Sequence, residues 1–305
     1  MGENSAIEWT DHTFNPWWGC TKVSPACDNC YAEAWAKRVG AKGLWDSTMR
    51  RTFGAAHWAG PVRWNKRAQA DGNRDRVFCA SMADVFDKDG PTGARADLWD
   101  LIEDTPHLDW LLLTKRVGNV LKMIPPHWNG ILKRNIWLGI SVVNQVEVDR
   151  DVPKLLEIPA YVRFLSCEPL LGRISFEGRW VVHANPAIHE NWLEALSWVI
   201  VGGESGPHAR PMNAEWAYAL RDQCNEIGTP FFFKQWGEYK HVGYTSSEPG
   251  DDMGEGYIFD APDPNMRPYM WKCGKKKAGR ILNNRTWDEF PRYSHTSISC
   301  ASEKP

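Results

Sequence analysis

No run of eighteen apolar residues occurs in the 305-residue chain, so a membrane-spanning helix is not expected. The opening MGENSAIEWTDHTF lacks a basic segment leading into an apolar one, and Ala6 stands where an N-myristoylation signal carries Ser or Thr. Neither a secretory leader nor a lipid anchor is expected, and the chain reads as soluble and cytoplasmic. Net charge is scarce too: 36 Lys and Arg against 38 Asp and Glu leave -2 at pH 7. That excludes a surface given over entirely to nucleic acid, though not a local basic patch. Disulfide-like spacing is also missing, because Cys79, Cys167, Cys224, Cys273 and Cys300 are scattered through apolar or tail segments. Tryptophan, by contrast, is abundant at 18 residues, which points to an indole-rich core, with stacking platforms around a cleft as the alternative.

Apolar runs alternate with turn signals and helix-period segments. The runs AIEW (6–9), RVFCAS (76–81), DWLLLT (109–114), NIWLGIS (135–141), YVRFLSC (161–167), SWVIVGG (197–203) and PFFFKQ (230–235) are expected as strands. Most are apolar throughout, as strands covered on both faces must be. Helices are expected over 94–104 and 213–228. In the second, Trp216, Ala217, Leu220, Cys224 and Ile227 share one face and Gly228 ends it. Strands joined by helical crossovers predict an α/β fold: a full or partial (β/α) TIM-like barrel of mostly parallel strands, with a flat doubly wound sheet as the fallback. The expected organisation is a barrel over 1–239 and a loop-rich C-terminal extension over 240–305. A Trp- and Arg-rich insertion at 42–75 is placed to cover the barrel mouth.

Polar clusters follow the strands: SMAD (81–84), TKR (114–116), SVVNQ (141–145), CEPLLG (167–172), GGESG (202–206) and KQWGE (234–238). Polar residues are ordinary in turns, but in a parallel barrel all strand C-termini open onto one face, so these clusters are expected to converge there.

One constellation stands apart, NPWWGCTKVSPACDNCYAEAW at 15–35. The turn CDNC, prepared by Pro25, aims Cys27 and Cys30 to one side. Cys30 precedes the helical pattern YAEAWAKRV, where a helix N-terminus favours thiolate. Cys20 lies six residues before Cys27. Three readings compete: structural zinc, which needs a fourth ligand such as His12 or His57; a redox CxxC, which leaves Cys20 unused; and a 4Fe-4S cluster on Cys20, Cys27 and Cys30 with one iron open to an exogenous molecule.

The three-cysteine loop after a first strand, in a βα-barrel pattern, resembles the radical S-adenosylmethionine superfamily. More closely, IEWTDHTFNPWWGCTKVSPACDNCYAE, TKR, IWLGISVVNQ, RFLSCEPLLG, WVIVGGESG, FFFKQWG and GRILNNRTWDEFP resemble an uncharacterised, largely phage-encoded three-cysteine family held to be radical-SAM-like. The resemblance spans nearly the whole chain. It implies a 4Fe-4S cluster, S-adenosylmethionine as cofactor, reductive cleavage to a deoxyadenosyl radical, an electron donor, and hydrogen abstraction from a substrate, for which a nucleic acid or nucleotide is one candidate. The pattern departs from the wider superfamily. Six residues rather than three separate the first two cysteines, Tyr31 follows Cys30 instead of an aromatic preceding it, and Gly-Gly-Glu follows a late strand rather than the second.

From position at the mouth, Ser81, Asp84, Ser141, Asn144, Glu168, Gly202, Gly203 and Glu204 are candidates for cofactor contact. Lys115, Arg116, Lys234 and Gln235 are candidates for an anionic group on the substrate. Arg50, Arg51, Arg63, Lys66 and Arg67, interleaved with Trp45, Trp58 and Trp64, supply the ingredients of a nucleic-acid surface, and Lys275, Lys276, Lys277 and Arg280 form a second patch. The rival from another class is a non-catalytic binding protein with zinc or no metal on the cysteines. A third reading is a cluster-bearing protein that acts only with a partner protein.

Overall fold

The structure is a computed structural model that describes residues 2–45, 47–182, 188–246 and 255–291. Its elements run β1 (His12–Phe14), β2 (Trp17–Trp18), α1 (Tyr31–Arg38), β3 (Arg51–Thr52), α2 (Ala55–Ala70), β4 (Asp75–Cys79), α3 (Thr92–Asp104), β5 (Leu108–Thr114), α4 (Val120–Met123), β6 (Ile136–Ser141), α5 (Gln145–Leu156), β7 (Val162–Cys167), β8 (Trp198–Gly202), α6 (Ala214–Ile227), β9 (Phe231–Gln235), β10 (Tyr239–Thr245), β11 (Gly256–Ile258), β12 (Arg267–Lys272) and α7 (Lys275–Ala278).

Seven strands form one sheet in the order β1-β4-β5-β6-β7-β8-β9, parallel throughout. The sheet curls without closing, which makes it a partial (β/α) barrel. Alternate residues divide its two faces. Val77, Cys79, Leu112, Leu138, Ile140, Leu165, Val199 and Phe233 face the helices. Phe78, Leu111, Trp137, Phe164, Trp198, Ile200 and Phe232 fill the concave side together with Trp9. Both faces are therefore dry, which is why the strands read as continuous apolar runs. Gly139 is required on the concave side, because a Cβ there would lie 2.2 Å from the Phe164 ring.

The free edge of β9 is covered by the segment after α7. Phe233 N–H donates to Trp287 O, Trp236 Nε1 to Ile281 O, and Phe231 N–H to Glu289 Oε2. Covering an edge this way removes a row of unpaired backbone groups. Trp198 Nε1 donates to Glu289 O at 2.7 Å, and Phe290 packs against Trp198 and Phe232, so the same segment closes the lower end of the concave core. A small antiparallel sheet, β10-β12-β11, lies alongside.

Six expected strands and both expected helices are present to within two residues at each end. The exception is AIEW: residues 6–9 form turns and the first strand is HTF. Ser5 Oγ accepts from Ile7 N–H, and Thr10 Oγ1 donates to His12 O and Arg76 O and accepts from Phe78 N–H. Hydroxyl bonds, local ones and two to β4, thus take the place of a ladder. Of the 42–75 stretch, Ala55–Ala70 is α2, the crossover helix packed on β4, β5 and α3, while Trp45 borders the cavity at the mouth. Cys300 and the extension beyond 291 lie outside the described residues. Among the described residues no helix is long and apolar enough to cross a membrane.

Candidate functional site: the mouth of the half-barrel

On the concave face β6, β7 and β9 change from aromatic to small or polar as they near their C-termini. Trp137 gives way to Gly139 and then Ser141 on β6, Phe164 to Ser166 on β7, and Phe232 to Lys234 on β9. Above this aromatic floor lies a cavity of about 200 Å³, bordered by Trp9 and Phe78 below, by strand ends around it, and by the cysteine loop 20–30 above.

Two charged clasps pin that loop. At the β5 end, Arg116 donates to Asp84 at 2.8 Å, to the Thr21 carbonyl and to Cys20 Sγ at 3.6 Å. Asp84 is saturated by Thr114 Oγ1 (2.8 Å), Lys115 N–H (3.1 Å) and Phe86 N–H (2.9 Å) as well. Beneath it Asp87 holds Arg50 at 2.8 Å, with both side chains almost fully buried, and accepts from Thr21 N–H. At the β8 end, Glu204 accepts from Arg210 Nη2 (2.6 Å), Arg210 N–H (2.8 Å) and Asn29 Nδ2 (3.0 Å), while Arg210 also reaches Asp28 and the Pro25 carbonyl. Burial alone would raise the Glu204 carboxyl, but the Arg210 bonds outweigh it and hold the group below the usual carboxylate range. Tyr31 OH, donating to Ser81 O at 2.7 Å, adds a third tie.

The paired glycines that open GGESG, Gly202 and Gly203, meet protein, whereas Gly206 faces open space. A Cβ on Gly203 would lie 1.9 Å from the Trp236 carbonyl oxygen, and one on Gly202 would lie 3.0 Å from Glu168 Oε2. Gly203 lets the ends of β8 and β9 converge, and Gly202 seats the Glu168 carboxylate. Glu168 in turn pairs with Lys234 at 2.7 Å, accepts from Ser166 Oγ at 3.3 Å, and takes the Ser141 hydroxyl on its carbonyl at 3.4 Å.

Of the candidates read from the sequence, Cys20, Cys27, Cys30, Ser81, Asp84, Lys115, Arg116, Ser141, Glu168, Gly203, Glu204, Lys234 and Gln235 border this cavity. Asn144 does not: its Oδ1 accepts from Glu147 N–H and caps α5. Gly202 acts only through Glu168. Sequence reading passed over Trp9, Asn29, Phe78 and Ser166 on the walls and Arg210 behind them. The alternation of Phe164 with Ser166 was a usable signal, whereas nothing local marks Arg210.

Charge around the cavity is nearly balanced. Of its four bordering cations, Lys22 pairs with Glu33 (3.0 Å), Arg116 with Asp84 and Lys234 with Glu168. Lys115 has no acidic partner among the described residues. Two buried atoms of bordering residues, Trp9 Nε1 and Gln235 Oε1, also lack hydrogen-bond partners among the described residues.

The cysteine geometry overturns the cluster. Cys20, Cys27 and Cys30 are free thiols, yet among the described residues no group of three or more His, Cys, Asp or Glu side chains could hold a metal ion. Cys20 is fixed to the β5 end by Arg116, while the segment around Cys27 and Cys30 is fixed to the β8 end by Arg210 and Glu204. Burial pushes the Cys20 thiol up to about 12, away from the thiolate a metal needs. The expected 4Fe-4S cluster, the reductive cleavage of S-adenosylmethionine on it, radical-SAM activity and iron-sulfur character are corrected accordingly. The zinc alternative meets the same obstacle, since His12 is engaged with Asp75 and His57 with the Asn15 carbonyl.

The first expected nucleic-acid patch is kept only in part, with Arg63 and Lys66 exposed on α2. Arg50 is buried on Asp87, Arg67 pairs with Glu3 at 2.6 Å, Arg51 lies over Trp18, and Trp64 is core.

The sequence model of a family described as "Protein of unknown function (DUF5131)" matches residues 4–291. No curated protein matches. Among solved structures, spore photoproduct lyase complexed with dinucleoside spore photoproduct is similar at 10% identity and a TM-score of 0.42, over 89% of this chain and 71% of that one. A double mutant of that lyase with bound AdoMet and dinucleoside spore photoproduct is similar at 11% identity and a TM-score of 0.39, over 89% and 73%. Likeness of this degree fixes neither ligand nor activity.

Proposed function

The chain belongs to the DUF5131 family, and from its mouth cavity we propose that it binds a small anionic molecule of the mononucleotide class beneath the cysteine loop. The observation that carries this reading is Lys115, the one cavity-bordering cation without an acidic partner among the described residues. An ammonium held in a recess whose other cations are neutralised favours an anion, because Coulomb attraction strengthens as water is excluded. The aromatic border of Trp9 and Phe78 suits a flat ring, and Ser81, Ser141 and Ser166 supply hydroxyls that donate or accept. Glu168, committed to Lys234, and Glu204, committed to Arg210, line the cavity without repelling the ligand as bare carboxylates would.

Calorimetry with nucleoside monophosphates and their uncharged nucleosides tests this. Lys115→Ala is expected to weaken monophosphate binding by about 10- to 100-fold, the worth of a charge-assisted hydrogen bond, and to leave nucleoside binding nearly unchanged. No binding by the unaltered protein, or an equal loss for both ligands, sinks the proposal.

A further inference from the structure

The second basic patch read from the sequence survives folding. Lys275, Lys276 and Lys277 make up most of α7, all three are exposed, and none has an acidic partner among the described residues. Lys240, exposed on β10, likewise has no acidic partner among the described residues. The contrast with neighbouring cations is informative, since Lys272 is neutralised by Glu255 and Arg280 by Asp288. Trp271, partly exposed on β12, is the register partner of Lys240, and Lys277 Nζ lies 4.1 Å from its ring centroid. The patch thus sets Lys277 and Lys240 beside one indole on the outer side of the small sheet, with Lys275 and Lys276 next along α7.

It is also continuous with the barrel mouth. Glu238, just past β9, accepts from Gly206 N–H on its side chain at 2.9 Å and from Cys273 and Gly274 N–H on its carbonyl at 3.0 Å each. One residue therefore links the GGESG loop at the rim to the entry of α7.

We propose that Lys240, Trp271 and Lys275–Lys277 form a binding face for a single-stranded nucleic acid. Its phosphates lie along the α7 lysines and a base packs on the exposed part of Trp271. Charge complementarity supports a polyanion, because four ammonium groups without acidic partners among the described residues are a local excess on a chain of net charge -2. The indole among them favours a strand with unstacked bases over a duplex, whose bases are unavailable for stacking. This face is independent of the cavity ligand.

Fluorescence anisotropy with a labelled single-stranded oligonucleotide at low salt tests it, using the full chain. The unaltered protein is expected to bind with affinity that falls as salt rises. Combined Lys275→Glu, Lys276→Glu and Lys277→Glu is expected to weaken binding by about tenfold or more and to flatten the log-log salt slope by about 2, at roughly 0.7 per phosphate contact. Lys122→Glu, an exposed lysine on α4, is expected to leave both unchanged, and unfolding curves confirm that each variant folds. The proposal is overturned by no binding at low salt, by a charge-reversed variant that binds as well as the parent, by tighter binding of the matching duplex, or by equal competition from polyglutamate.

Discussion

Alanine at Gly202 and at Gly203 should give very different results although the positions are adjacent. At Gly203 the added carbon would sit 1.9 Å from the Trp236 carbonyl oxygen and 2.6 Å from its carbon. An ordinary contact needs about 3.3 Å, so β8 and the chain after β9 would have to part by more than about 1 Å. That movement strains the Gly203 N–H bond to Gln235 O (2.9 Å) and the Glu238 N–H bond to Glu204 O (3.0 Å), both between backbone atoms that no rotamer change can relieve. Overpacking against backbone places the cost at about 3 kcal/mol or more. At Gly202 the nearest atom is Glu168 Oε2 at 3.0 Å, the end of a side chain that can shift a few tenths of an ångström. The cost there is about 1 kcal/mol, partly offset by about 0.5 kcal/mol from a less flexible unfolded chain. Urea unfolding should therefore separate the two variants by at least about 2 kcal/mol, with Gly203→Ala the weaker. Equal stabilities, or Gly203→Ala within about 1 kcal/mol of the parent, would refute the close approach of β8 to Trp236.

Three other outcomes are expected. Asp87→Ala strands the buried Arg50 guanidinium and should cost about 3–5 kcal/mol in chemical unfolding, whereas Arg50→Met with Asp87→Leu should cost clearly less. Because the Glu204 carboxyl is held below its usual range in the fold, its stabilisation is fully present above the unfolded-state value and lost as pH falls through the lower folded value. Melting temperature followed from neutral to acid pH should fall less steeply in Glu204→Gln, and identical slopes would count against the Arg210 clasp. In thiol labelling read by mass spectrometry, Cys27 and Cys30 should react first, Cys20 slowly, and the fully buried Cys79, Cys167 and Cys224 only on unfolding; early modification of Cys167 would contradict its burial.

Strand positions were legible in the sequence because both sheet faces are apolar, and for the same reason the sequence did not reveal which alternate residues face the cavity. Phe78, Phe164 and Phe232 look no different from their neighbours until curvature assigns them to the concave side. Asn144 shows how a strand-end position misleads. Its spacing to Glu147 is a helix-capping signature, and Glu147 Oε2 reaches back to Val143 N–H, so the side chain is spent on α5 and never reaches the cavity. The cysteine loop was conspicuous by spacing, but spacing along a chain constrains sulfur positions only while the loop is free to fold around a centre. Here Arg116 and Arg210, far away in sequence, hold its two ends to opposite sides of the half-barrel, and no local pattern announces such long-range partners.

The same distant arginines account for the polarity of the cavity. Each clasp pairs a carboxylate at a strand end with a guanidinium, Asp84 with Arg116 and Glu204 with Arg210, so the acidic residues that converge on a parallel sheet's mouth are neutralised as the loop is anchored. Lys234 removes the remaining charge on Glu168. Among the described residues Lys115, inside the rim, stays without an acidic partner, as do the α7 lysines on the outer side of the small sheet. A chain with slightly more acidic than basic residues can therefore present positive potential where its surface is concave, because field strength at a recess depends on which charges are left unpaired there and not on the total.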